Sequence, residues 1–363
     1  MKVAIIGAGL SGLACAHALE TKYNIKPDIF EKNSYIGDSY NHVTAILEVF
    51  HRPYGNCIDY FNNKLNLQIK PLNELKKVIH ISPNNFKAIS GNLGYLFLRG
   101  RFENSLKNQV YKQLKKSKIN FNTFADYTTL KDKYDYVIIA DGSINSTRQI
   151  CCYQEWLNPV VIGVTAYGKF KKDTLIVWLN KKYCNKGYVY LAPFDEKKAF
   201  IGLVITDIKK HEAPEYLKLF LAMENINYTI EEEFTVMHKT GYVYPHKINN
   251  IYLVGTASGG IDPFLGFGQL NAFITGAKAA KSIALEKNYE NLLKKQIDHI
   301  TNLYEYRKLY DSATNDSYDK LLNFISIPGI KQFIYDSNID VVKYSGNLLH
   351  YKRILSKKTN GKI

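Results

Sequence analysis

Three glycines with G-x-G-x-x-G spacing, Gly7, Gly9 and Gly12, follow directly on the apolar run of residues 3–6. Those residue types in that order suit one chemistry, the binding of a dinucleotide pyrophosphate. Gly7 allows a tight turn out of a strand, Gly9 lets a phosphate approach the backbone, and Gly12 lets a helix pack closely on a sheet. Leu10 and Ser11 open that helix, whose first N–H groups and positive dipole end face the phosphates. A second short strand, residues 28–30, runs into Glu31 and Lys32. A carboxylate at the place of Glu31 accepts hydrogen bonds from ribose hydroxyls and disfavours a 2′-phosphate, which points to an AMP moiety without one. Lys32 is counted with it among the cofactor-contacting positions.

Further candidates lie along the chain. Phe102, Leu106, Val110 and Leu114 recur at fours, which predicts a helix starting near Arg101. Arg99 precedes that helix, as a guanidinium aimed at the pyrophosphate. The apolar run 134–140 predicts a strand that ends at Asp141 and Gly142. A last unit, residues 250–287, repeats the order of strand, glycine-rich loop and small-residue helix. Its loop carries Gly255, Thr256, Asp262, Gly266, Phe267 and Gly268, and the helix spans 269–284. A glycine loop at a helix N-terminus suits an anionic group, such as the N1–C2=O edge of a reduced flavin. No second intact G-x-G-x-x-G unit is present, so one dinucleotide is resident and an NAD(P)H or other electron donor would bind only transiently. His42, His51 and His80 lack metal-ligand spacing, and no metal site is expected.

These residues need a scaffold that brings three distant segments together. The pattern predicts an α/β chain with a discontinuous dinucleotide-binding domain at residues 1–35, 94–150 and 245–287. A substrate domain at 36–93 and 151–244 begins as a loop-rich insertion with a strand or two. It continues with four short β-rich runs between 159 and 207, an antiparallel sheet. A helix at 212–225 follows. Glu231, Glu232 and Glu233 read as a solvated strand edge. Residues 288–363 form a helical, aromatic and basic region.

The chain has 363 residues, room for about two domains. Its net charge of +15 is spread along the chain, a basic solvated surface. A nucleic-acid partner would rest on charge alone, without an RNA or DNA motif, and none is expected. The five cysteines, Cys15, Cys57, Cys151, Cys152 and Cys184, include no C-x-x-C. That pattern suits a reducing compartment and argues against a dithiol-exchanging flavin reductase. No apolar run of about 18 residues predicts a membrane span. The expected place is the cytoplasm, with peripheral contact at a membrane surface through the basic C-terminal helices as a second reading.

Several separated motifs together resemble one family, the flavin-dependent oxidoreductases of the para-hydroxybenzoate hydroxylase fold, and within it the geranylgeranyl reductases. Gly7-x-Gly9-x-x-Gly12 with Glu31 is similar to their FAD fingerprint. Tyr95-x3-Arg99-x2-Phe102-Glu103-x2-Leu106 resembles Y-x3-R-x2-F-D-x2-L. Ala140-Asp141-Gly142 through Arg148 resembles A-D-G-x-x-S-x-x-R. Residues 187–193 are similar to G-Y-x-W-x-x-P, with Tyr190 for Trp, and residues 255–268 to G-D-A-A-x-x-x-D-P-x-x-G-x-G. Two departures stand out. Thr256 replaces an Asp that contacts the flavin ribityl chain, and the P-x-x-C-G-E-G stretch is missing.

The resemblance implies FAD as cofactor and a two-domain fold with C-terminal helices. It also implies reduction of carbon–carbon double bonds in an isoprenoid or other apolar substrate. Tyr188 and Tyr190 are the candidates for a proton donor. An aromatic hydroxylase of the same fold and a non-enzymatic escort for prenylated partners are the alternatives.

Overall fold

The computed structural model describes the backbone of residues 1–360 and the side chains of residues 1–351. The first sheet has six strands, in spatial order Lys247–Ile248, Ile251–Leu253, Tyr136–Ile139, Val3–Ile6, Asp28–Phe30 and Ile119–Asn120. All neighbours are parallel except the Lys247–Ile248 and Ile251–Leu253 pair. Its centre, Val3–Ile6, is apolar at every position and has strands on both sides. Such a run belongs in a parallel sheet whose faces are covered by helices. The helices Leu10–Lys22 and Gln269–Leu285 pack together beside it, and Ile5, Leu13, Phe273 and Ile274 form part of one core.

Small residues set the spacing of these layers. A Cβ on Gly12 would lie 2.1 Å from the Gly7 carbonyl oxygen, and a Cβ on Gly276 would lie 2.3 Å from that of Ser11.

The second sheet has eight strands, in the order Thr229–Met237, Val160–Tyr167, Lys198–Ile205, Tyr188–Pro193, Thr174–Trp178, Asn73–Ser82, Asn85–Arg99 and His42–Leu47. It is antiparallel except where Thr174–Trp178 runs parallel to Asn73–Ser82. A two-stranded ribbon, Cys152–Leu157 with Thr240–Tyr244, stands apart.

Residues 36–93 are therefore more regular than the sequence implies. Three strands of the second sheet begin there, joined in part by a hairpin that turns at Pro83-Asn84. Gly91 and Gly94 both lie inside the strand Asn85–Arg99. Gly94 is required by proximity, since a Cβ there would lie 2.0 Å from the Ile46 carbonyl oxygen on the neighbouring strand. Residues 94–99, grouped by the sequence with the dinucleotide unit, pair with His42–Leu47 in the second sheet.

The helix expected near Arg101 starts instead at Leu106, with Ser105 as its N-cap. Gly100 turns the chain with φ +86° against Tyr40 and Asn41, which delays the helix. Phe102, the first position of the apolar series, packs against Phe194 at 5.5 Å between ring centroids. The acidic triplet lies exposed on the edge strand Thr229–Met237, where the register shifts between Glu231 and Phe234.

Four helices, Tyr289–Ser312, Asn315–Ile325, Ile330–Tyr335 and Val341–Asn360, follow the two sheets. All five cysteines are free. Among the described residues no helix is long and apolar enough to cross a membrane.

The Gly276→Ala variant tests the close packing. The added methyl meets backbone rather than a movable side chain, so stability falls by about 1–3 kcal/mol, read as a lower urea midpoint. A gain in stability, as helix propensity alone would dictate, contradicts the packing.

Candidate cofactor site

The glycine loop bends as its residue types require. Gly7 has φ +100°, and a Cβ there would lie 2.4 Å from the Ala140 carbonyl oxygen on the neighbouring strand. Gly9 differs from its two companions. It is the N-cap of Leu10–Lys22 with φ −82° and ψ −176°, a conformation open to any residue. A Cβ on Gly9 would meet no protein atom within 4 Å. Nothing in the protein itself calls for glycine there, and the open space in front of a helix N-terminus is where a phosphate fits. Gly142, with φ +71°, borders open space in the same way.

Around this cradle the other residues take distinct tasks. Glu31 is buried, and its carboxylate accepts the Ala8 N–H at 3.0 Å and the Asn33 N–H at 2.9 Å. It thereby ties the end of the second strand to the glycine loop. Lys32 next to it is exposed. Leu10 and Ser11 are buried, and the Ser11 hydroxyl lies where a Cβ on Gly255 would come, 2.5 Å away. Gly255, with φ +61°, therefore seats the third segment of the chain against the first turn of the helix, and Thr256 follows it in a 3-10 turn. Asp141 folds its own turn by accepting from the Ser143 N–H at 2.9 Å and from the hydroxyls of Ser143 and Ser146 at 3.2 Å each. Beyond that turn Asn145–Ile150 is a short helix, and Arg148 pairs with Glu155.

Arg99 does not stand alone. Its guanidinium pairs with Asp38 at 3.2 Å, and the Lys107 ammonium donates to the Asp38 carbonyl. Burial works to raise the Asp38 carboxyl, but Arg99, His42 and Lys107 outweigh it and hold it at about 2. A Cβ on Gly37 would sit 3.4 Å from the Gly9 Cα, so the Gly37-Asp38 segment lies on the glycine loop. Arg101 stacks over the Tyr35 ring at 4.2 Å, and Lys107 lies near the same ring. Three cations thus gather beside Gly9, a field suited to a pyrophosphate.

The loop 255–268 is held from three directions. Asp262 is almost fully buried, and its carboxylate accepts from the N–H groups of Phe264, Leu265 and Phe267 at 2.7–2.9 Å. Asp262 therefore acts as a staple of its own loop. Burial raises its carboxyl to about 6, against the pull of those N–H groups. The Tyr188 hydroxyl donates to the Leu265 carbonyl, which ties the loop to the second sheet. The His238 ring meets the Gly266 carbonyl at 2.9 Å. Gly266 has φ +75°, and Gly268 caps the helix Gln269–Leu285. Gln269, the first residue of that helix, donates to the Thr44 hydroxyl, while its buried carbonyl oxygen has no partner.

The second sheet carries an aromatic cluster, whose Tyr190 packs together with Tyr188 and with Leu265 of this loop. Phe200 and Phe234 stack at 5.9 Å, with Tyr190 at 5.5 Å from Phe200 and His42 at 5.6 Å. Burial and then Arg99 hold His42 at about 4, so the ring is neutral at pH 7. Burial raises both Tyr188 and Tyr190, which weakens them as acids.

Sequence reasoning missed Asp38, His42, Lys107, His238 and Gln269 as members of this site. Only the cross-strand register, which sets His42 opposite Arg99, brings the first of these histidines in.

A family model described as an NAD(P)-binding Rossmann-like domain matches residues 5–60. Solved structures match the whole chain. A geranylgeranyl bacteriochlorophyll reductase-like protein from Thermoplasma acidophilum aligns with a TM-score of 0.70 and 18% identity, over 96% of this chain and 98% of that one. The fold is that of flavin-dependent oxidoreductases. A flavin-dependent brominase aligns with a TM-score of 0.67 and 12% identity over 99% of this chain and 100% of its own. A flavoprotein/dehydrogenase from Cytophaga hutchinsonii aligns with 0.61 and 13% over 97% and 100%. The open space at Gly9, the cations beside it, the carboxylate of Glu31 and the unpartnered oxygen of Gln269 fit the flavin dinucleotide of this fold.

Two outcomes follow. Gly9→Ala leaves the stability of the cofactor-free protein within about 0.5 kcal/mol, since no protein atom is displaced. FAD affinity, read by fluorescence titration, falls by about tenfold or more because the methyl takes the phosphate's place. The second concerns Asp262, whose folded-state pKa is raised above the usual 3.8. Its contribution to stability is complete below pH 3.8 and is lost as pH rises through about 6. Wild type therefore loses stability relative to Asp262→Asn between pH 4 and pH 7, by on the order of 2 kcal/mol, read by urea denaturation across that range.

Proposed function

We propose that this chain is an FAD-dependent oxidoreductase that reduces carbon–carbon double bonds of an isoprenoid or similar apolar substrate. The observation that carries the reading is the aromatic cluster of Tyr190, Phe200 and Phe234 on the second sheet, whose Tyr190 packs in one cluster with Tyr188 and with Leu265 of the glycine-rich loop. The likeness to a protein described as geranylgeranyl bacteriochlorophyll reductase-like, and the motifs shared with that family, support it.

Gly7, Gly9 and Gly12, with the first turn containing Leu10 and Ser11, would hold the pyrophosphate, helped by Arg99 and Lys107. Glu31 and Lys32 would lie at the adenosine ribose, Asp141 and Gly142 at the neighbouring turn, and Gly255 and Thr256 at the ribityl chain. Gly266, Phe267 and Gly268 would present the helix N-terminus to the flavin ring edge. The bound flavin, reduced by NAD(P)H or another transient donor, would supply hydride to one alkene carbon, and a proton from water would complete the other. Tyr188 anchors the loop through its hydroxyl proton, which the Leu265 carbonyl holds.

A second reading, oxygen insertion into an aromatic substrate, is favoured by likeness to a 2-methyl-3-hydroxypyridine-5-carboxylic acid oxygenase with a TM-score of 0.55 and 16% identity. The visible spectrum of the purified protein, with release of its cofactor by denaturation, separates the readings from an escort role. Released FAD is the expected result. Anaerobic reduction followed by mixing with a prenyl lipid should then reoxidise the flavin. Reoxidation only with an aromatic and oxygen would replace reduction by hydroxylation. A colourless protein that takes up no added FAD would overturn both.

A further inference from the structure

The last helix, Val341–Asn360, is apolar on two opposite sides over its described side chains, residues 341–351. One side packs on Tyr289–Ser312. Val342 is buried, a Cβ on Gly346 would lie 2.7 Å from the Asn302 Cβ, and Tyr306 donates to the Val341 carbonyl. The other side carries Tyr344, Leu348 and Tyr351, which are 64%, 55% and 68% exposed. Their spacings of four and three residues make one stripe, about half a turn around from Val342 and Gly346. Leu321, Phe324, Ile327 and Phe333 on the two preceding helices and their connection are also exposed.

Charge says what covers this face. The helix sequence contains Lys343, Lys352, Arg353, Lys357 and Lys358 and no Asp or Glu. Lys362 follows it. A second copy of the chain would bring the same run of basic residues against these. A nucleic acid would satisfy the charge but leave the Tyr-Leu-Tyr stripe in water. A surface of anionic phospholipid satisfies both, since tyrosine rings favour headgroup depth, leucine favours the acyl boundary, and basic residues are drawn to the anionic leaflet.

We propose that the outer face of Val341–Asn360 docks the protein on an anionic phospholipid bilayer, with Tyr344, Leu348 and Tyr351 entering the headgroup–acyl boundary. Docking of this kind is peripheral and reversible, and it weakens as salt screens the charge. It depends on neither flavin nor turnover, so its test stands apart from that of the oxidoreductase reading.

The experiment is flotation of the full chain with phosphatidylcholine vesicles made with and without phosphatidylglycerol. Wild type is expected to float with the anionic vesicles and to lose binding as salt is raised. The double variant Leu348→Glu/Tyr351→Glu should bind about tenfold or more weakly, with an unchanged thermal melt. The single variant Tyr344→Glu should weaken binding in the same direction. Wild type that stays at the bottom of the gradient with anionic vesicles overturns the proposal. So does binding that the variants leave unchanged. A dimer in light scattering that the double variant dissolves assigns the stripe to a second copy and overturns it. Retention on duplex DNA without flotation assigns the charge to nucleic acid, with the same consequence.

Discussion

The structure depends on backbone approaching backbone at a few glycines in the first sheet. Gly7 meets the Ala140 carbonyl, Gly12 meets the Gly7 carbonyl, and Gly276 meets the Ser11 carbonyl. These contacts set the strand Val3–Ile6 between its neighbours and lay Leu10–Lys22 against Gln269–Leu285. A methyl group at any of these three positions would sit inside the van der Waals distance of a carbonyl oxygen. The N-terminus of the first helix is thereby placed at the same end of the sheet as the loop 255–268.

The site is built by charge as well as by shape. Arg99 and Lys107 come from a strand end and a short helix and pair with one carboxylate, Asp38, while Arg101 stacks over the Tyr35 ring close to Lys107. Lys107 is held there with almost no exposure, in an arrangement that burial alone would oppose. Cations concentrated beside a helix N-terminus act in the same sense as its dipole. The second sheet contributes neutral groups nearby. His42 is kept uncharged at pH 7, and both tyrosines are weakened as acids.

The loop 255–268 joins the two sides. Asp262 closes it from within, while Tyr188 and His238 grip its Leu265 and Gly266 carbonyls from the second sheet and the adjoining turn. Movement of the second sheet would therefore be felt at the N-terminus of Gln269–Leu285, because the hydrogen bonds leave the loop little freedom of its own.

The local order strand, glycine loop, helix, strand and acid was legible in residues 3–31, because each residue type there answers a demand of the backbone within a few positions. So was the unit at 251–285, whose small residues mark close packing. Of the three strands within 42–99 the pattern showed only one or two in a loop-rich insertion, because the length of Asn85–Arg99 depends on a neighbouring strand that crowds Gly94. The helix at 106–111 was misplaced for a similar reason. Phe102 fits a helical period, but Gly100 turns the chain and Phe102 finds Phe194 in the other sheet. Asp38, His42, Lys107 and His238 carried no signal, since each gains its role from a partner far along the chain. The glycine spacing and the small-residue helix could be read locally, because that chemistry depends on backbone conformation within a few positions. Which charges surround the glycine loop, with Asp38 held between Arg99 and Lys107, came only from the folded chain, because pairing across strands is a long-range choice.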